Sequence, residues 1–343
     1  MLRTFLIVLL ISQAFSQGIL QRLAAPLFYE IGLQPGFQSN PFNLSDLEIE
    51  KAANDPDYLD DSAYSSSNLI SLYAKLKWSP RLFKGRKTRF NGQVFYHYYH
   101  DIPQRTYQSY SINIKQSLGQ YRYLSGGYWI LPEYYLRNYL IRDPATQIID
   151  RQNCSFGTDR LWLGFEHRLT RKNRIEYRLN VRQEVYQAPF ARYDKQMQEI
   201  GFKLAIDQFK PLRLNLELQY GFADNDNQID DKDRSFRYLN LRPTLTLPFG
   251  GDHRIRLSGR YDQRAYGSEQ LDDPLHAGRY QEEFRLDITY LPRFSSSFRV
   301  EPFAGYRERR VDSSDPAVRD LKSFSRYWFG IRLGFKSVID MYY

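Results

Sequence analysis

Apolar and polar residues alternate one by one along most of this chain, and this pattern limits the possible folds more than any other feature. The stretch 212–220 carries leucine or tyrosine at every even position and arginine, asparagine, glutamate or glutamine at every odd one. The same alternation recurs at 174–182 and at 283–290. A helix has a period of about 3.6 residues and would mix the two kinds of side chain, so the pattern indicates strands with two different faces.

The alternation predicts fourteen strands, within about two. They are 27–37, 65–78, 88–100, 106–118, 121–141, 156–169, 174–188, 193–208, 212–224, 235–248, 253–267, 279–291, 297–310 and 322–338. Each is at least as long as the roughly 9–11 residues that a tilted strand needs to cross the hydrocarbon of a bilayer. Strands of soluble sheets have about five or six residues, so length favours a membrane-spanning sheet over a large secreted sandwich.

The connections between these strands alternate in length. Tight turns are predicted at 119–120, 170–173, 209–211, 249–252 and 292–296, and longer polar loops at 142–155, 225–234, 268–278 and 311–321. Two connections fit less well, because 79–87 is long for a turn and 189–192 is short for a loop. Transmembrane barrels have this asymmetry, with short turns on the periplasmic side and longer loops outside.

A sheet in lipid must leave no backbone group unpaired, so it can span the membrane only as a closed antiparallel β-barrel. The mean hydropathy of −0.60 agrees with this fold, because only every second residue of such a strand faces lipid. The chain also has 28 tyrosines and 23 phenylalanines. The aromatic residues that we assign to the two interfacial girdles are Trp78, Tyr96, Tyr98, Trp129, Tyr220, Phe236, Tyr261, Tyr290 and Tyr306.

The first sixteen residues have the layout of a secretory signal peptide. Arg3 is followed by an apolar run from Phe5 to Ile11 and then by small and polar residues up to Ser16. That run is too short to span a bilayer as a helix, and we expect cleavage after Ser16. The alternative is a short buried N-terminal helix. The mature chain, 17–343, is predicted to be a single transmembrane barrel domain without a membrane-spanning helix.

The segment 38–64 is rich in aspartate and glutamate and follows the first predicted strand. Placing a strand at 27–37 makes the number of strands even and puts both ends of the chain in the periplasm. The segment is then expected to be a long acidic outer loop. The alternative is an N-terminal segment that lies in the periplasm or fills the lumen.

The end of the chain alternates back from a terminal aromatic residue. Its apolar members are Tyr327, Phe329, Ile331, Leu333, Phe335, Ile339, Met341 and Tyr343, and Ser337 is the polar exception. This pattern resembles the last-strand assembly signal of bacterial outer-membrane β-barrel proteins. The resemblance is to the general class and singles out no family within it. It implies a Gram-negative-type envelope, transfer through the periplasm with chaperones, and insertion by the barrel-assembly machinery.

The polar faces of the predicted strands would point into the lumen, and they are rich in arginine. The lumen-facing candidates are Arg174, Glu176, Arg178, Arg182, Arg213, Glu217, Arg254, Arg256, Arg260, Asp262, Glu283, Arg285, Asp287, Arg299, Glu301, Arg307, Arg332 and Lys336. In one interpretation, neighbouring strands pair these charges into a structural salt-bridge lattice. In the other, they line a pore that favours anions, as rings of arginine or lysine do.

No pattern in the sequence predicts an enzyme. The five histidines have no serine partner in a nucleophile context, and there is no glycine-rich phosphate loop or helical zinc motif. Cys154 is the single cysteine and lies far from the signal peptide, so neither an internal disulfide nor a lipid anchor is expected. The acidic loop 223–233 matches no calcium-binding spacing and is interpreted as a solvated loop. We therefore predict no catalytic residue, no metal and no cofactor.

Three functions from different classes are compatible with these patterns. The first is a channel or transport porin in outer-membrane lipid, with a charged, arginine-rich lumen that prefers anions. The second is a plugged or narrow barrel that acts as a scaffold or export component with a periplasmic or surface protein partner. A barrel enzyme has little support. The net charge of +9 does not indicate nucleic-acid binding, because the basic residues alternate with apolar ones and do not cluster.

Overall fold

The computed structural model describes residues 22–54, 66–142, 149–207, 209, 211–225, 229–230, 232–268, 273, 275–292, 295 and 297–340. The predicted signal peptide lies outside these residues, and so does the terminal Tyr343 of the predicted assembly signal. Within the described ranges no helix has the length and apolar character to cross a membrane.

Fourteen antiparallel strands form one closed barrel, which confirms the predicted fold and strand number. The strands are β1 (Leu27–Ser39), β2 (Ser66–Trp78), β3 (Thr88–Tyr99), β4 (Tyr107–Gly119), β5 (Arg122–Arg142), β6 (Ile149–Arg168), β7 (Asn173–Tyr186), β8 (Lys195–Ile206), β9 (Arg213–Asp224), β10 (Phe236–Pro248), β11 (Arg254–Tyr266), β12 (Tyr280–Leu291), β13 (Phe298–Asp312) and β14 (Phe324–Ile339). Each strand pairs with its neighbours in sequence, and β1 pairs with β14 to close the ring. Closure leaves no sheet edge with unpaired backbone groups.

The hairpin of β5 and β6 is longer than the sequence pattern predicts. β6 begins at Ile149 and not at 156, so most of the predicted loop 142–155 is strand, with Ile141 paired to Asp150. The residues from 150 to 153 are polar and have no apolar face, which is why alternation did not reveal them. Two register shifts, after Leu131 and after Tyr135, interrupt this hairpin, as β-bulges do at barrel rims.

The seam between the first and last strands requires glycine for a close approach. Gly32 lies opposite Gly334, and the ring of Tyr73 crosses this gap from β2. A Cβ atom at Gly32 would overlap both the Tyr73 ring and the Leu333 carbonyl oxygen. The Tyr73 hydroxyl lies 3.1 Å from Glu30 of β1 and 3.4 Å from the Leu333 carbonyl of β14, so it links β2 to both strands of the seam.

The two ends of the barrel differ in the length of their connections. At the turn end, β4 and β5 are joined by Gln120 and Tyr121, both at positive φ, as tight hairpin turns require. The longer connection 79–87 belongs to this end and is folded compactly, with the Thr88 amide donating to the Pro80 carbonyl at 2.8 Å. The turn end also holds the two ends of the barrel sequence, because Leu27 pairs with Trp78 and with Ile339.

Within the described residues, the loop end carries the longer connections and two short α-helices. Helix α1 (Asp46–Asn54) follows β1, and helix α2 (Pro316–Lys322) precedes β14. Asp315 caps α2 by accepting a hydrogen bond from the Ala317 amide at 2.8 Å. The two helices touch each other across this end of the barrel.

Apolar side chains cover the outside of the barrel wall, while polar side chains point inward. On β7, Leu179 is 59% exposed, whereas its neighbour Asn180 is 2% exposed and faces the lumen. Trp78 stacks on Phe90 at the turn end of this outer surface, as a girdle residue would.

Two of the predicted girdle residues face the lumen instead. Trp129 is paired in register with Ser111 and Arg160, whose side chains point into the lumen. Phe236 is buried inside the barrel against Met197. Trp129 lies between Tyr128 and Ile130, so the alternation there does not distinguish the faces.

Candidate functional site: the charged lumen

The structure places all the predicted lumen-facing residues on the inward side of the barrel wall. They are Arg174, Glu176, Arg178 and Arg182 on β7, Arg213 and Glu217 on β9, Arg254, Arg256, Arg260 and Asp262 on β11, Glu283, Arg285 and Asp287 on β12, Arg299, Glu301 and Arg307 on β13, and Arg332 and Lys336 on β14. They share these faces with further charges that the sequence argument did not single out, such as Lys75, Lys115 and Arg160.

Ion pairs connect this wall between strands. Glu30 on β1 contacts three cations: Arg299 at 3.3 Å, Lys75 at 3.7 Å and Lys336 at 3.9 Å. Further pairs are Arg332–Glu301 at 3.1 Å, Arg160–Glu199 at 3.2 Å, Lys195–Glu184 at 2.8 Å, Lys115–Glu166 at 2.6 Å and Arg307–Glu283 at 2.6 Å. The lattice interpretation therefore describes part of the wall.

The lattice leaves a surplus of positive charge. Within the described residues, no carboxylate forms an ion pair with Arg254, Arg256, Arg326 or Lys203. Glu30 and Glu283 also serve more than one cation each. Basic side chains outnumber acidic ones at the inward-facing positions of the described strands.

Several cavities lie along the lumen within the described residues. One, of about 490 Å³, lies toward the turn end between β3 and β9, and Lys115, Arg178 and Lys203 are among its lining residues. A second, of about 380 Å³, lies between β1–β5 on one side and β11–β14 on the other. Polar and aromatic side chains line the second cavity, among them Tyr107, Tyr134 and Arg326.

The segment after β1 folds over the loop end of the barrel. The Asn40 side chain donates to the Leu44 carbonyl at 2.7 Å and to the Ser325 carbonyl at 3.0 Å, which turns the chain inward. Ser45 and Glu48 then form a reciprocal capping box at the start of α1, through bonds of 3.2 and 3.0 Å. We call residues 40–54 the mouth segment.

Apolar contacts and an ion pair hold the mouth segment in place. Its apolar side chains pack against residues of the wall and the neighbouring loop; the cluster is Phe42, Leu44, Ala52, Tyr99, Ile102 and Tyr135. Glu48, which is buried, binds Arg137 of β5 at 2.5 Å. The described part of 38–64 is thus at the loop end, as expected of an outer loop, but it packs onto the barrel mouth instead of extending into solvent.

Positive charge also surrounds the mouth segment. Lys322, at the end of α2, has its pKa lowered to about 8 by burial and by the nearby charges of Arg137 and Arg279. Arg105 is almost fully buried beneath Phe42 and donates to the carbonyls of Tyr135 and Leu136. Sequence alternation could not reveal these residues, because they lie in connections or act through partners distant in the chain.

No catalytic arrangement is present in the described part of the chain. Ser71 lies 2.7 Å from the His97 Nδ1 atom, but this serine is completely buried. His167 faces outward and stacks on Tyr177. No three histidine, cysteine or acidic side chains among the described residues come together as a metal site. The prediction that the protein is not an enzyme stays a prediction.

One histidine outside the strands makes the loop end sensitive to acid. His276 lies 2.8 Å from Asp273 in the connection between β11 and β12, and burial together with the Arg279 charge lowers its pKa to about 4. His276 is therefore neutral at pH 7. If this loop opens, His276 regains its ordinary pKa of 6.5, so between pH 6.5 and about 4 the open form binds a proton that the native form does not. The free energy needed to open the loop therefore falls as the pH falls through this window.

We predict that hydrogen exchange at the amides of Ala277 and Arg279, corrected for intrinsic rates, will lose protection between pH 7 and pH 4. These amides donate to Asp273 and His276 within the same loop. A His276→Gln variant should show less of this pH dependence. Equal protection of the native loop at both pH values would contradict the assignment.

No family model matches the chain, and no curated protein matches it. One similar solved structure is an anion-selective porin from Comamonas acidovorans, with 10% identity over 92% of this chain and 99% of that chain and a TM-score of 0.41. A second is OmpT, an outer membrane protein of Vibrio cholerae, with 8% identity over 92% of this chain and 100% of that chain and a TM-score of 0.47. A third is OprD of Pseudomonas aeruginosa, with 8% identity over 95% of this chain and 98% of that chain and a TM-score of 0.41.

Likeness at this level defines no family, so the class of the protein rests on its own geometry. A closed ring of fourteen strands, an apolar outer surface and a charged interior are the features of a barrel that crosses a bilayer. The last strand carries the alternating aromatic and aliphatic face of the predicted assembly signal, with Tyr327, Phe329, Ile331, Leu333 and Phe335 on the outside. The protein is a bacterial outer-membrane β-barrel.

Proposed function

We propose that this protein is an outer-membrane channel whose arginine-rich lumen favours small anions. The observation that carries the proposal is the set of lumen cations without a carboxylate partner, above all Arg256 and Arg326 beside the 380 Å³ cavity. Fixed positive charges in a narrow, low-dielectric passage raise the local concentration of anions and repel cations. The ion-pair lattice around them stabilises the wall.

The proposal predicts anion-selective current. The chain should be refolded in detergent, tested for folding by its heat-dependent gel mobility, and inserted into planar bilayers under a salt gradient. We expect discrete conductance steps and a reversal potential of the sign for anion preference. Neutralising Arg254 and Arg256 to glutamine should move the reversal potential toward zero.

The matched control for that experiment is Arg310→Gln. Arg310 lies on the outer side of β13 and pairs with Glu308 at 2.7 Å, so its loss removes one positive charge, as each single lumen substitution does, without changing the lumen. If Arg310→Gln alters selectivity as much as the lumen variants do, the selectivity does not arise in the lumen. A folded protein that conducts no current contradicts the channel.

The second candidate function is a plugged barrel that acts as a scaffold or export component. The observation in its favour is the mouth segment, which buries Leu44 and Glu48 against the barrel wall. A silent native protein that conducts once this segment is displaced would support this candidate. Chaperones, the barrel-assembly machinery and a periplasmic or surface protein are its proposed partners.

A further inference from the structure

The 380 Å³ lumen cavity presents aromatic rings on one side. His97 of β3 stacks on Tyr107 of β4, with ring centroids 4.5 Å apart, and Tyr134 of β5 meets the Tyr107 ring edge-on at 5.0 Å. All three residues line the cavity. Ring contacts of this kind on neighbouring strands form a platform that can take a further planar ring at its edge.

Arginines occupy the other side of the same cavity. Arg285 is held by Asp287 at 2.7 Å and lies over the Trp328 ring, with 4.7 Å to its centroid. Arg326 and Arg256 have no carboxylate partner within the described residues. The Nε atom of Arg326 is buried without a hydrogen-bond partner there, which is a costly state for a donor.

The acid–base balance of the lining determines what the cavity can accept. Asp287 is the carboxylate that lines it, and Arg285 already engages this group through two bonds, of 2.7 and 3.0 Å. Arg332 is likewise engaged, by Glu301 and Gln34. Arg256 and Arg326 have no carboxylate acceptor among the described residues, and a carboxylate from a ligand would provide one.

We propose that this cavity is a binding site for small aromatic carboxylates, with the carboxylate on Arg326 and Arg256 and the ring against the tyrosine platform. The inference deepens the proposed function and rests on it, since a site inside the lumen selects among solutes only if solutes pass. Charge alone would bind any small anion, and rings alone would bind any planar solute. The two sides together favour molecules that have both features.

The test compares three probes on the refolded full chain by isothermal titration calorimetry. Benzoate has a ring and a charge, acetate has the charge alone, and benzamide has the ring with no charge. We expect saturable benzoate binding, with acetate and benzamide each weaker by about tenfold or more, because each lacks one set of contacts. Equal binding of benzoate and acetate, or no benzoate binding, overturns the proposal.

Variants locate the site. Arg326→Gln and Tyr107→Leu should each weaken benzoate binding by about tenfold, the first through a lost charge-assisted hydrogen bond and the second through lost ring contact. Lys203→Gln removes a cation from the lumen cavity of about 490 Å³ and should leave benzoate affinity unchanged. Heat-dependent gel mobility identifies any variant that fails to fold, and the probe comparison on the native chain does not depend on the variants.

The binding and current measurements together distinguish failure of the proposed binding site from failure of the proposed channel function. Saturable benzoate binding by a protein that conducts no current would keep the site and remove the channel. Anion-selective current without benzoate binding would keep the channel and overturn the site. A benzoate affinity that falls as strongly in Lys203→Gln as in Arg326→Gln would show general charge attraction and overturn the site as well.

Discussion

Changing Glu48 to arginine is expected to release the mouth segment and raise the single-channel conductance. Glu48 is the buried partner of Arg137 at 2.5 Å, and Lys322 lies close by. The variant would place a third cation among these groups. Removing one partner of a buried ion pair costs about 3–5 kcal/mol, which is a more than hundredfold change in the balance between the closed and released segment.

The single cysteine provides a second measurement of the same event. Cys154 is 2% exposed and pairs in register with Arg137, beside the ion pair that holds the segment. We expect a thiol reagent to modify Cys154 faster in Glu48→Arg than in the native protein. Current and labelling should rise together, because both depend on displacement of the same residues.

A charge swap and a surface variant are the controls. The double variant Glu48→Arg with Arg137→Glu restores opposite charges and should recover much of the native conductance and slow labelling. Glu50→Arg changes the exposed side of the same helix and should leave both unchanged. If the single Glu48 variant behaves like Glu50→Arg, the mouth segment does not limit access to the lumen.

Changing Glu283 to glutamine is expected to produce the largest loss of stability from a single lumen substitution. This carboxylate is 4% exposed and binds Arg307 at 2.6 Å and Arg309 at 3.1 Å. Its neutralisation would leave two partly buried cations without their counter-charge, at a cost of about 3–5 kcal/mol in the free energy of unfolding. Urea unfolding in detergent micelles, followed by tryptophan fluorescence, measures this difference.

The matched control is Glu308→Gln on the same hairpin. Glu308 pairs with Arg310 at the outer surface, where the arginine is 68% exposed, and such pairs contribute about 0–1 kcal/mol. The two substitutions remove the same charge and the same atoms. Equal losses of stability would mean that water in the lumen screens the ion pairs of Glu283 with Arg307 and Arg309. The ion pairs of the wall would then contribute little to stability.

The alternation of residues was sufficient to predict the barrel. Strand bounds agree within a few residues for thirteen of the fourteen strands, because a period of two specifies both the extended backbone and the face that each side chain takes. The inward placement of residues such as Arg254 and Glu301 follows from the same period. The exceptions occur where apolar residues fill both faces, as around Trp129, or where neither face is apolar, as at the start of β6.

Contacts across the lumen could not be predicted in this way. Glu30 and Arg299 are joined only when the last strand closes on the first, and the mouth segment contacts Tyr135 and Arg137, which lie on a strand distant in the chain. Local pattern therefore determined the strands, their number and their two faces, since each depends on a residue and its immediate neighbours. Only the tertiary structure decided which arginines have no carboxylate partner among the described residues and which segment covers the mouth of the barrel. The reason is that the partners of a charged side chain in a barrel depend on the register and closure of strands that are distant in the chain.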